Sequence, residues 1–317
     1  MTRLPTIELI VLAFFALLPM LMPAWALSEF AIYFTYAIFA VSLAFLWGHA
    51  GQLSLGHAVY FGIGAYAMGV VTLGMTSLPA TSYLGLALAL LLPGIVAFAL
   101  GSIFFASRGL KGAYFGIVTL ALAFVFERIA ISSSWLGGMN GLVSIPPVRV
   151  LGQELYDPLV LYFCLLVALG FVICVLRIIM SSRFGLLLAA VRENELRAET
   201  LGHDARRLKI WALTISGVIA GFSGALFVTQ FGFASPSLIG FSLSAEVLIW
   251  VALGGRKNLL AAALGAICVR FLESQLSGML GALWPVVAGI LFMISVVFLP
   301  RGLFGEAIAR AQSAVRH

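Results

Sequence analysis

Long apolar runs alternate with short polar breaks along most of this chain of 317 residues. About 17 to 25 apolar residues are enough for a helix to cross the hydrocarbon core of a bilayer. Ten runs are candidates, at 7–27, 30–47, 59–75, 84–106, 112–131, 159–180, 210–230, 242–253, 259–271 and 281–299. The two short runs flank a polar break at 254–258 and are either full spans or a re-entrant hairpin, so we expect eight to ten transmembrane helices.

The composition excludes a soluble fold. Hydrophobic residues make up 62% of the chain and charged residues 9%, and the mean hydropathy is +1.13. A single soluble core of this size cannot hide so much apolar surface. Helices satisfy their backbone polar groups inside lipid. The predicted fold is therefore an all-α, polytopic membrane helix bundle that forms one domain over residues 1–317.

The basic residues sort to one side of this predicted bundle. Lys and Arg in short loops collect on the cytoplasmic side of membrane proteins. With the N-terminus inside, ten spans place fifteen of the eighteen basic residues on that side: Arg3, Arg108, Lys111, Arg177, Arg183, Arg192, Arg197, Arg206, Arg207, Lys209, Arg256, Lys257, Arg301, Arg310 and Arg316. Arg128, Arg149 and Arg270 fall at or beyond outer ends. Both termini are expected to be cytoplasmic, and the net charge of +6 requires no nucleic-acid partner.

The first apolar run also resembles a secretory signal, because Arg3 precedes it and residues 24–26 form a cleavage-type sequence. Its apolar core is longer than the ~7 to 15 residues that are usual in a signal. Cleavage and a retained first helix both fit the sequence. Every later span keeps the same orientation in either case.

A polar break at 48–57 separates two apolar runs without a single Lys, Arg, Asp or Glu. Its glycines let the backbone leave helical geometry, and non-helical backbone at membrane depth persists only where protein or a water-filled cavity covers it. Transporters build substrate passages from broken helices. We predict a broken helix near residues 48–58, with passage-lining candidates Gln52, Ser54, Gly56 and His57. The alternative is an ordinary cytoplasmic loop with structural histidines.

Small residues recur in the seventh apolar run. Gly217 and Gly221 form a GxxxG sequence, which Gly224 extends. Small residues at helix interfaces let backbones approach closely in lipid. These three glycines are therefore predicted to pack helices together.

The densest charge lies at 183–209, which carries ten of the thirty charged residues. Within this charged segment, residues 184–201 are predicted to form an amphipathic helix, with Gly202 placed to cap its C-terminus. The apolar face of that helix consists of Leu187, Val191, Ala198 and Leu201. A helix of mixed charge suits a protein partner better than anionic lipid alone. The alternative is a solvated connector that packs on its own bundle.

Motifs for covalent chemistry do not occur in the sequence. There is no Walker A loop, nucleophile elbow, H-E-x-x-H motif or dinucleotide fingerprint. Cys164, Cys174 and Cys268 lie in apolar runs without CxxC spacing or clustered histidines, so they are expected to be small core residues. We expect no enzyme activity, metal or cofactor in this chain.

Several short sequences together resemble a known family. They are GQLSLGH at 51–57, GAY at 64–66, RFG at 183–185, AVRENE at 190–195, AE at 198–199, LG at 201–202, AG at 220–221, GAL at 224–226, SP at 235–236, LGG at 253–255 and PRGL at 300–303. In this order the chain resembles the permease subunits of ATP-binding-cassette importers for branched-chain amino acids. The resemblance is greater to the second of the two permease types in that system.

The resemblance implies a sister permease subunit, two cytoplasmic ATP-binding subunits that use the ATP, and an extracytoplasmic solute-binding protein. The implied location is the bacterial inner membrane. A cytoplasmic coupling helix at about 184–202, ending at Gly202, would insert into a cleft on an ATPase subunit. The residues implied to make its polar contacts are Arg192, Glu193, Asn194, Glu195 and Glu199.

The solute stays open between two branches of the family. Residues 137–141, GGMNG, favour branched-chain or other hydrophobic amino acids, whereas Arg256 after two glycines is typical of permeases for urea and short-chain amides. The alternative from another class is a secondary transporter or channel without ATPase subunits. It requires ionisable groups deep in the bundle, for which Glu246 is the candidate.

Overall fold

The computed structural model describes residues 6–77, 79–106, 112–150, 153–298 and 302–314. These ranges are mainly helical, and they include a small antiparallel hairpin of β1 (Arg149–Val150) and β2 (Gln153–Glu154). The helices are α1 (Thr6–Leu17), α2 (Ala24–Ala44), α3 (Ala58–Thr72), α4 (Ser82–Phe104), α5 (Ala113–Ser132), α6 (Pro158–Ser181), α7 (Arg183–Glu193), α8 (Glu195–Thr200), α9 (Ala205–Phe231), α10 (Phe241–Gly254), α11 (Leu259–Leu280), α12 (Trp284–Phe298) and α13 (Leu303–Ala314).

Among the described helices, six are long and apolar enough to cross a membrane: α2 with the π-helical turn Phe45–His49 that extends it, α4, α5, α6, α9 and α11. Shorter apolar helices correspond to α1, α3, α10 and α12. The predicted all-α, polytopic bundle with a break near residues 48–58 is confirmed. Five of the basic residues used to orient it lie outside the described residues: Arg3, Arg108, Lys111, Arg301 and Arg316.

The boundary between the first two helices differs from the predicted one. α1 ends at Leu17, a 3-10 turn follows at Leu18–Met20, and α2 begins at Ala24. The apolar pattern placed the break after residue 27. Pro23 explains the difference, because it occupies the N-cap of α2 and has no N–H with which to continue a preceding helix.

α2 is the central helix of the bundle. Every residue from 33 to 46 is buried, and α6, α9, α10 and α11 pack around the helix. A helix that is apolar on all sides belongs in a core. Phe34, Phe39 and Phe45 are among the largest side chains that are completely buried. The polar break therefore begins at the end of a buried helix.

α3, α4 and α9 pack closely on one another through glycines of α9. A Cβ on Gly217 would lie 3.3 Å from the carbonyl oxygen of Pro93 in α4, and a Cβ on Gly221 would overlap the Pro93 ring. A Cβ on Gly224 would overlap the carbonyl oxygen of Phe61 in α3. The glycines selected from the GxxxG pattern thus lie at two different helix contacts.

Loops predicted to share a side of the membrane meet at the same end of the bundle. At one end, the break at 48–57 contacts Arg192 and Arg256. At the other end, Leu142 forms a β-bridge with Ala234. This grouping agrees with the sorting of basic residues between loops. The cytoplasmic location of the first end stays a prediction.

The prediction that Arg270 lies at or beyond an outer end is wrong. α11 continues well past Phe271, and Arg270 lies midway along it. The guanidinium of Arg270 lies 3.6 Å from the carboxylate of Glu246 and 2.6 Å from that of Glu273, and it stacks over the ring of Tyr36. Because these groups compensate its charge, Arg270 does not end the helix.

Candidate functional site: the broken helix and the charged segment

The break after α2 folds back into the bundle. The π-helical turn Phe45–His49 ends the helix, and Gly51 adopts a left-handed conformation with φ of 71°. Glycine adopts this conformation without the steric cost of a Cβ. The N–H of Gln52 then donates to the carbonyl oxygen of Leu46 at 3.1 Å. The chain thus turns at Gly51 and re-enters the protein before α3 begins at Ala58.

His57 shows how deeply the break re-enters. Its ring stacks on Phe39 with centroids 5.5 Å apart, and its Nε2 lies 2.9 Å from Oγ of Ser42 and 3.3 Å from Oγ of Ser216. Ser42 precedes His49 by about two helical turns, which places His57 roughly 10 Å deeper than the end of the π-helical turn. His57 is completely buried. It therefore joins the break to the interiors of α2 and α9.

The hydroxyls around His57 determine which ring nitrogen carries the proton. Oγ of Ser42 donates to the carbonyl oxygen of Phe39 at 2.6 Å, and Oγ of Ser216 donates to the carbonyl oxygen of Ser42 at 2.6 Å. Each hydroxyl has one hydrogen, so both can only accept from His57. The network therefore assigns the proton to Nε2. It leaves Nδ1 as a buried acceptor without a partner among the residues that the structure describes.

Hydroxyls from two further helices bind the backbone of the break. The N–H of Leu55 donates to Oγ1 of Thr119 on α5 at 3.0 Å, and the N–H of Ala58 donates to Oγ of Ser244 on α10 at 3.0 Å. Gly56 packs on Thr119, whose carbonyl oxygen a Cβ at position 56 would overlap. An unpaired N–H in a membrane interior is costly. By accepting hydrogen bonds from these N–H groups, the hydroxyls stabilise the non-helical backbone inside the protein.

Sequence reasoning missed these hydroxyl residues. They are Ser42, Thr119, Ser216 and Ser244. Each is a small polar residue within an apolar run. Nothing in the neighbouring sequence distinguishes it from other Ser and Thr residues in such runs. The available signal is general: Ser and Thr in membrane helices often form hydrogen bonds to neighbouring helices.

The four candidate passage residues lie together in one mostly buried segment. Ser54 and His57 are completely buried, and Gln52 is 7% exposed. Oγ of Ser54 has no hydrogen-bond partner among the residues that the structure describes. Gly56 lies against α5. The segment therefore places unused hydrogen-bonding capacity, at Ser54 and His57, inside the protein.

The charged segment forms two short helices where the sequence predicted one. Asn194 adopts an extended conformation between α7 and α8, and its side chain accepts from the N–H of Arg197 at 3.0 Å. Asparagine is a favourable N-cap because its side chain satisfies a free N–H in the first turn. The chain therefore changes direction at Asn194.

Gly202 caps the end of α8, as the sequence predicted. Its φ of 86° lies in the left-handed region that favours glycine. The N–H of His203 donates to the carbonyl oxygen of Ala198 at 3.1 Å, and the N–H of Gly202 donates to that of Glu199 at 2.9 Å. These two bonds form a Schellman motif, which satisfies carbonyls at the helix end.

Two charged residues that the resemblance assigned to partner contacts turn toward their own chain. Nη1 of Arg192 donates to the carbonyl oxygen of Gly48 at 2.6 Å. Glu195 pairs with Nζ of Lys209 at 2.6 Å, and the lysine side chain is 6% exposed. Removing either partner of such a buried pair would leave an uncompensated charge. The pair therefore holds α8 against the first turns of α9.

Other side chains of the charged segment face outward. The side chain of Glu193 is 77% exposed, and Glu199 is also exposed. Leu196 and Leu201 are 71% and 72% exposed. The prediction that Leu201 shares one helix face with Val191 and Ala198 is wrong, because those two residues are buried and the break at Asn194 interrupts the helical periodicity on which it rested.

Membrane-length helices, a buried break lined with hydroxyls and an outward-facing charged segment define a polytopic α-helical membrane protein. The family is shown by comparison with known proteins. The chain belongs to the family of permease components of the branched-chain amino acid transport system, whose family model matches residues 27–296.

Individual relatives agree with this family. The high-affinity branched-chain amino acid transport system permease protein LivM of Escherichia coli K12 is 30% identical over 295 residues, covering 84% of this chain and 67% of that protein. A probable LivM of Methanocaldococcus jannaschii is 26% identical over 265 residues, covering 74% and 76%. The autoinducer 2 import system permease protein LsrC of Klebsiella pneumoniae is 28% identical over 220 residues, covering 67% and 58%. No solved structure matches the chain.

Proposed function

We propose that this chain is a translocating subunit of an ATP-driven importer for branched-chain or other hydrophobic amino acids. It lies in the bacterial inner membrane with both termini in the cytoplasm. It works with a sister permease subunit, two cytoplasmic ATPase subunits and an extracytoplasmic solute-binding protein. Its family and its LivM relatives support this function. The structural observation that carries it is the outward face of α8.

This face combines apolar and charged side chains on a well-anchored segment. Leu196 and Leu201 are 71% and 72% exposed, and the carboxylates of Glu193 and Glu199 are exposed as well. Exposed apolar side chains together with charged ones are the composition of a protein-binding surface. The segment lies at the end of the bundle that carries the predicted cytoplasmic loops. These features support docking of α8 into an ATPase subunit.

The broken helix supports a role in the passage. Oγ of Ser54 and Nδ1 of His57 have no protein partner in the described part of the chain. Polar groups inside a membrane protein are costly and mark functional sites by default. We propose that Gln52, Ser54, Gly56 and His57 line the passage when the permease opens.

Branched-chain amino acids are favoured over urea because the LivM relatives are named as permeases for branched-chain amino acid transport. The urea alternative depended on Arg256. The guanidinium of that residue lies over the ring of Trp47 at 5.1 Å, and its backbone packs on Gly48. These contacts give Arg256 a packing role at the end of α2, so its presence does not argue for a particular solute.

Docking of α8 is tested with Leu196→Asp, which replaces an exposed apolar side chain of α8 with a carboxylate. Co-purification of the ATPase subunits with the tagged permease is expected to fall by about ten-fold or more, as for a hot-spot contact. Met139→Asp is the matched control, since Met139 is 80% exposed in the loop between α5 and β1, away from α8. Equal recovery of the ATPases with both variants contradicts the docking.

Transport is tested with labelled leucine and vesicles that contain the complete complex. ATP on the ATPase side is expected to support leucine uptake after an uncoupler has collapsed the proton gradient, and urea uptake is not expected. The carboxylate of Glu246, the candidate for proton coupling, lies 3.6 Å from Arg270 and is therefore not an isolated ionisable group. Uphill uptake by the chain without ATPase subunits would overturn the proposed function.

A further inference from the structure

Arg192 joins the charged segment to the broken helix at two points. Its Nη1 donates to the carbonyl oxygen of Gly48, in the π-helical turn that ends α2, at 2.6 Å. Its aliphatic stem covers Gly51, where an added Cβ would lie 2.8 Å from Cγ of Arg192. One side chain of α7 therefore contacts both the end of α2 and the residue at which the chain turns inward.

A guanidinium is well suited to bind Gly48. Carbonyls at a helix C-terminus lack intrahelical donors and carry the negative end of the helix dipole. Hydrogen bonds from a charged donor are roughly twice as strong as neutral ones. The side chain of Arg192 is 29% exposed, and its bond to Gly48 is partly buried. The contact can therefore transmit a displacement of α7 to the turn.

The turn is also packed against the loop at 255–258. A Cβ on Gly48 would overlap the carbonyl oxygen of Arg256, and the guanidinium of Arg256 lies over the ring of Trp47. Closely packed elements transmit displacement because they leave no free volume to absorb it. The end of α2 therefore responds to its neighbours instead of moving independently.

α7, α8 and the start of α9 are tied into one unit. Val191, Ala198 and Ala205 form an apolar cluster with one residue from each helix. The ion pair between Glu195 and Lys209 adds a second link between α8 and α9. A partner that displaces α8 therefore displaces α7, and Arg192 with it.

The segment beyond Gly51 carries any such displacement to the buried polar residues. Gly51 has a positive φ, and the chain turns inward at this residue. Ser54 follows shortly after, and at the far end His57 lies against Ser42 and Ser216. The chain from Gly48 to His57 thus connects the charged segment directly to the candidate passage.

We propose that Arg192 is a positioning residue: it transmits movement of the α7–α8 unit to the broken helix and does not itself contact the ATPase. This inference rests on the proposed function, in which the ATPase subunits displace α8. It differs from the role that the family resemblance assigned to Arg192, because the guanidinium points to Gly48.

Arg192→Met tests this role, since it keeps an unbranched apolar side chain and removes the donor. In the reconstituted complex, the ATPase subunits are expected to co-purify and hydrolyse ATP as with the native chain. The amount of solute moved per ATP is expected to fall by about ten-fold. Arg183→Met, at an exposed arginine that begins the same helix, is the matched control and is expected to keep the native ratio. Arg192→Lys, which restores a charged donor, is expected to recover part of the loss.

A second measurement follows the broken helix itself. Ser54→Cys is introduced into a chain whose three cysteines are replaced by alanine, and its reaction with N-ethylmaleimide is timed with and without ATP. Ser54 is completely buried, so opening of the break is expected to speed the reaction. The nucleotide effect is expected with Arg192 present and is expected to be lost in Arg192→Met. A nucleotide effect that is unchanged in Arg192→Met, or absent with Arg192 present, overturns the inference.

The two proposals fail in different ways. If the ATPase subunits do not bind the native chain, the proposed function is wrong and the inference falls with it. If they bind the native chain but not Arg192→Met, Arg192 is a docking residue and the inference alone is wrong. A native ratio of solute to ATP in Arg192→Met also overturns the inference alone.

Discussion

The ring of His57 is held by contacts of two kinds at the centre of the break. It stacks on Phe39 and meets the edge of Tyr60, with centroids 5.5 Å and 5.7 Å away. Its Nε2 donates to hydroxyls of Ser42 and Ser216 that have no other hydrogen to give. The ring therefore contributes packing and one shared donor, and the two contributions can be separated by substitution.

His57→Phe keeps an aromatic ring and removes the donor, so it is expected to destabilise the protein by about 1 to 2 kcal/mol, the value of a lost hydrogen bond. His57→Ala also leaves a cavity and is expected to cost about 3 kcal/mol or more. Thermal unfolding of the purified protein in detergent measures both values. Equal costs for the two variants would show that the ring itself contributes no packing.

At the level of single residues, the sequence predicted the break at 48–57 but not the residues that contact it. The glycines and the missing charges of 48–57 identified the break, because backbone freedom and polarity are local properties. Ser216 lies more than a hundred and fifty residues from His57 in sequence, and only packing of α9 on α2 brings it within 3.3 Å. No local pattern could have selected it.

Among the elements, the helices of the bundle follow the apolar pattern closely, whereas the charged segment does not. Leu187 to Leu201 suggested one periodic helix, but Asn194 can satisfy the first turn of a new helix and so divides the segment. α11 is longer than the apolar pattern predicted. Its helix continues past Arg270 because acidic partners compensate the charge of that residue. In both cases a side-chain interaction determined where the helix ends, and the average polarity of the segment did not.

The contacts of α9 give a prediction for single glycines. Gly224→Ala is expected to destabilise the protein by about 1 to 3 kcal/mol, because the new Cβ would overlap the backbone of Phe61 and force α3 and α9 apart. Gly278→Ala is the matched control: apart from its own turn of helix, no atom of the described residues would lie within 4 Å of its Cβ, and alanine favours a helix over glycine by up to about 1 kcal/mol. Thermal unfolding should therefore shift in opposite directions. A shift in the same direction would contradict the close packing at Gly224.

In the whole molecule, a cluster of charges joins the consecutive helices α10 and α11 to α2, which is far from them in the sequence. Arg270 on α11 pairs with Glu246 on α10 and with Glu273, and its guanidinium lies 4.4 Å from the ring centroid of Tyr36 on α2. The arginine side chain is 21% exposed. The cluster therefore fixes how α2, α10 and α11 meet.

Arg270→Met is expected to destabilise the protein by about 1 to 3 kcal/mol, because it removes the positive partner of Glu273, whose side chain is 24% exposed, and of the more exposed Glu246. Adding Glu246→Gln and Glu273→Gln to the same chain is expected to restore much of the loss. Thermal unfolding of the single and triple variants provides the measurement.

The exposed pair of Arg310 and Glu306 on α13 is the control for this cluster. Their side chains are 79% and 36% exposed, so Arg310→Gln is expected to cost below about 1 kcal/mol. If Arg270→Met costs no more than Arg310→Gln, the cluster does not hold the three helices together.

The sequence by itself determined that this chain is a membrane bundle of helices with one polar break and one charged segment. Those features depend on local composition, since lipid requires each apolar segment to satisfy its own backbone. The tertiary structure decided which side chains meet: His57 with Ser216, Arg192 with Gly48, and Arg270 with Glu246. Such contacts join residues distant in sequence, and they depend on how glycines and hydroxyls let the helices pack.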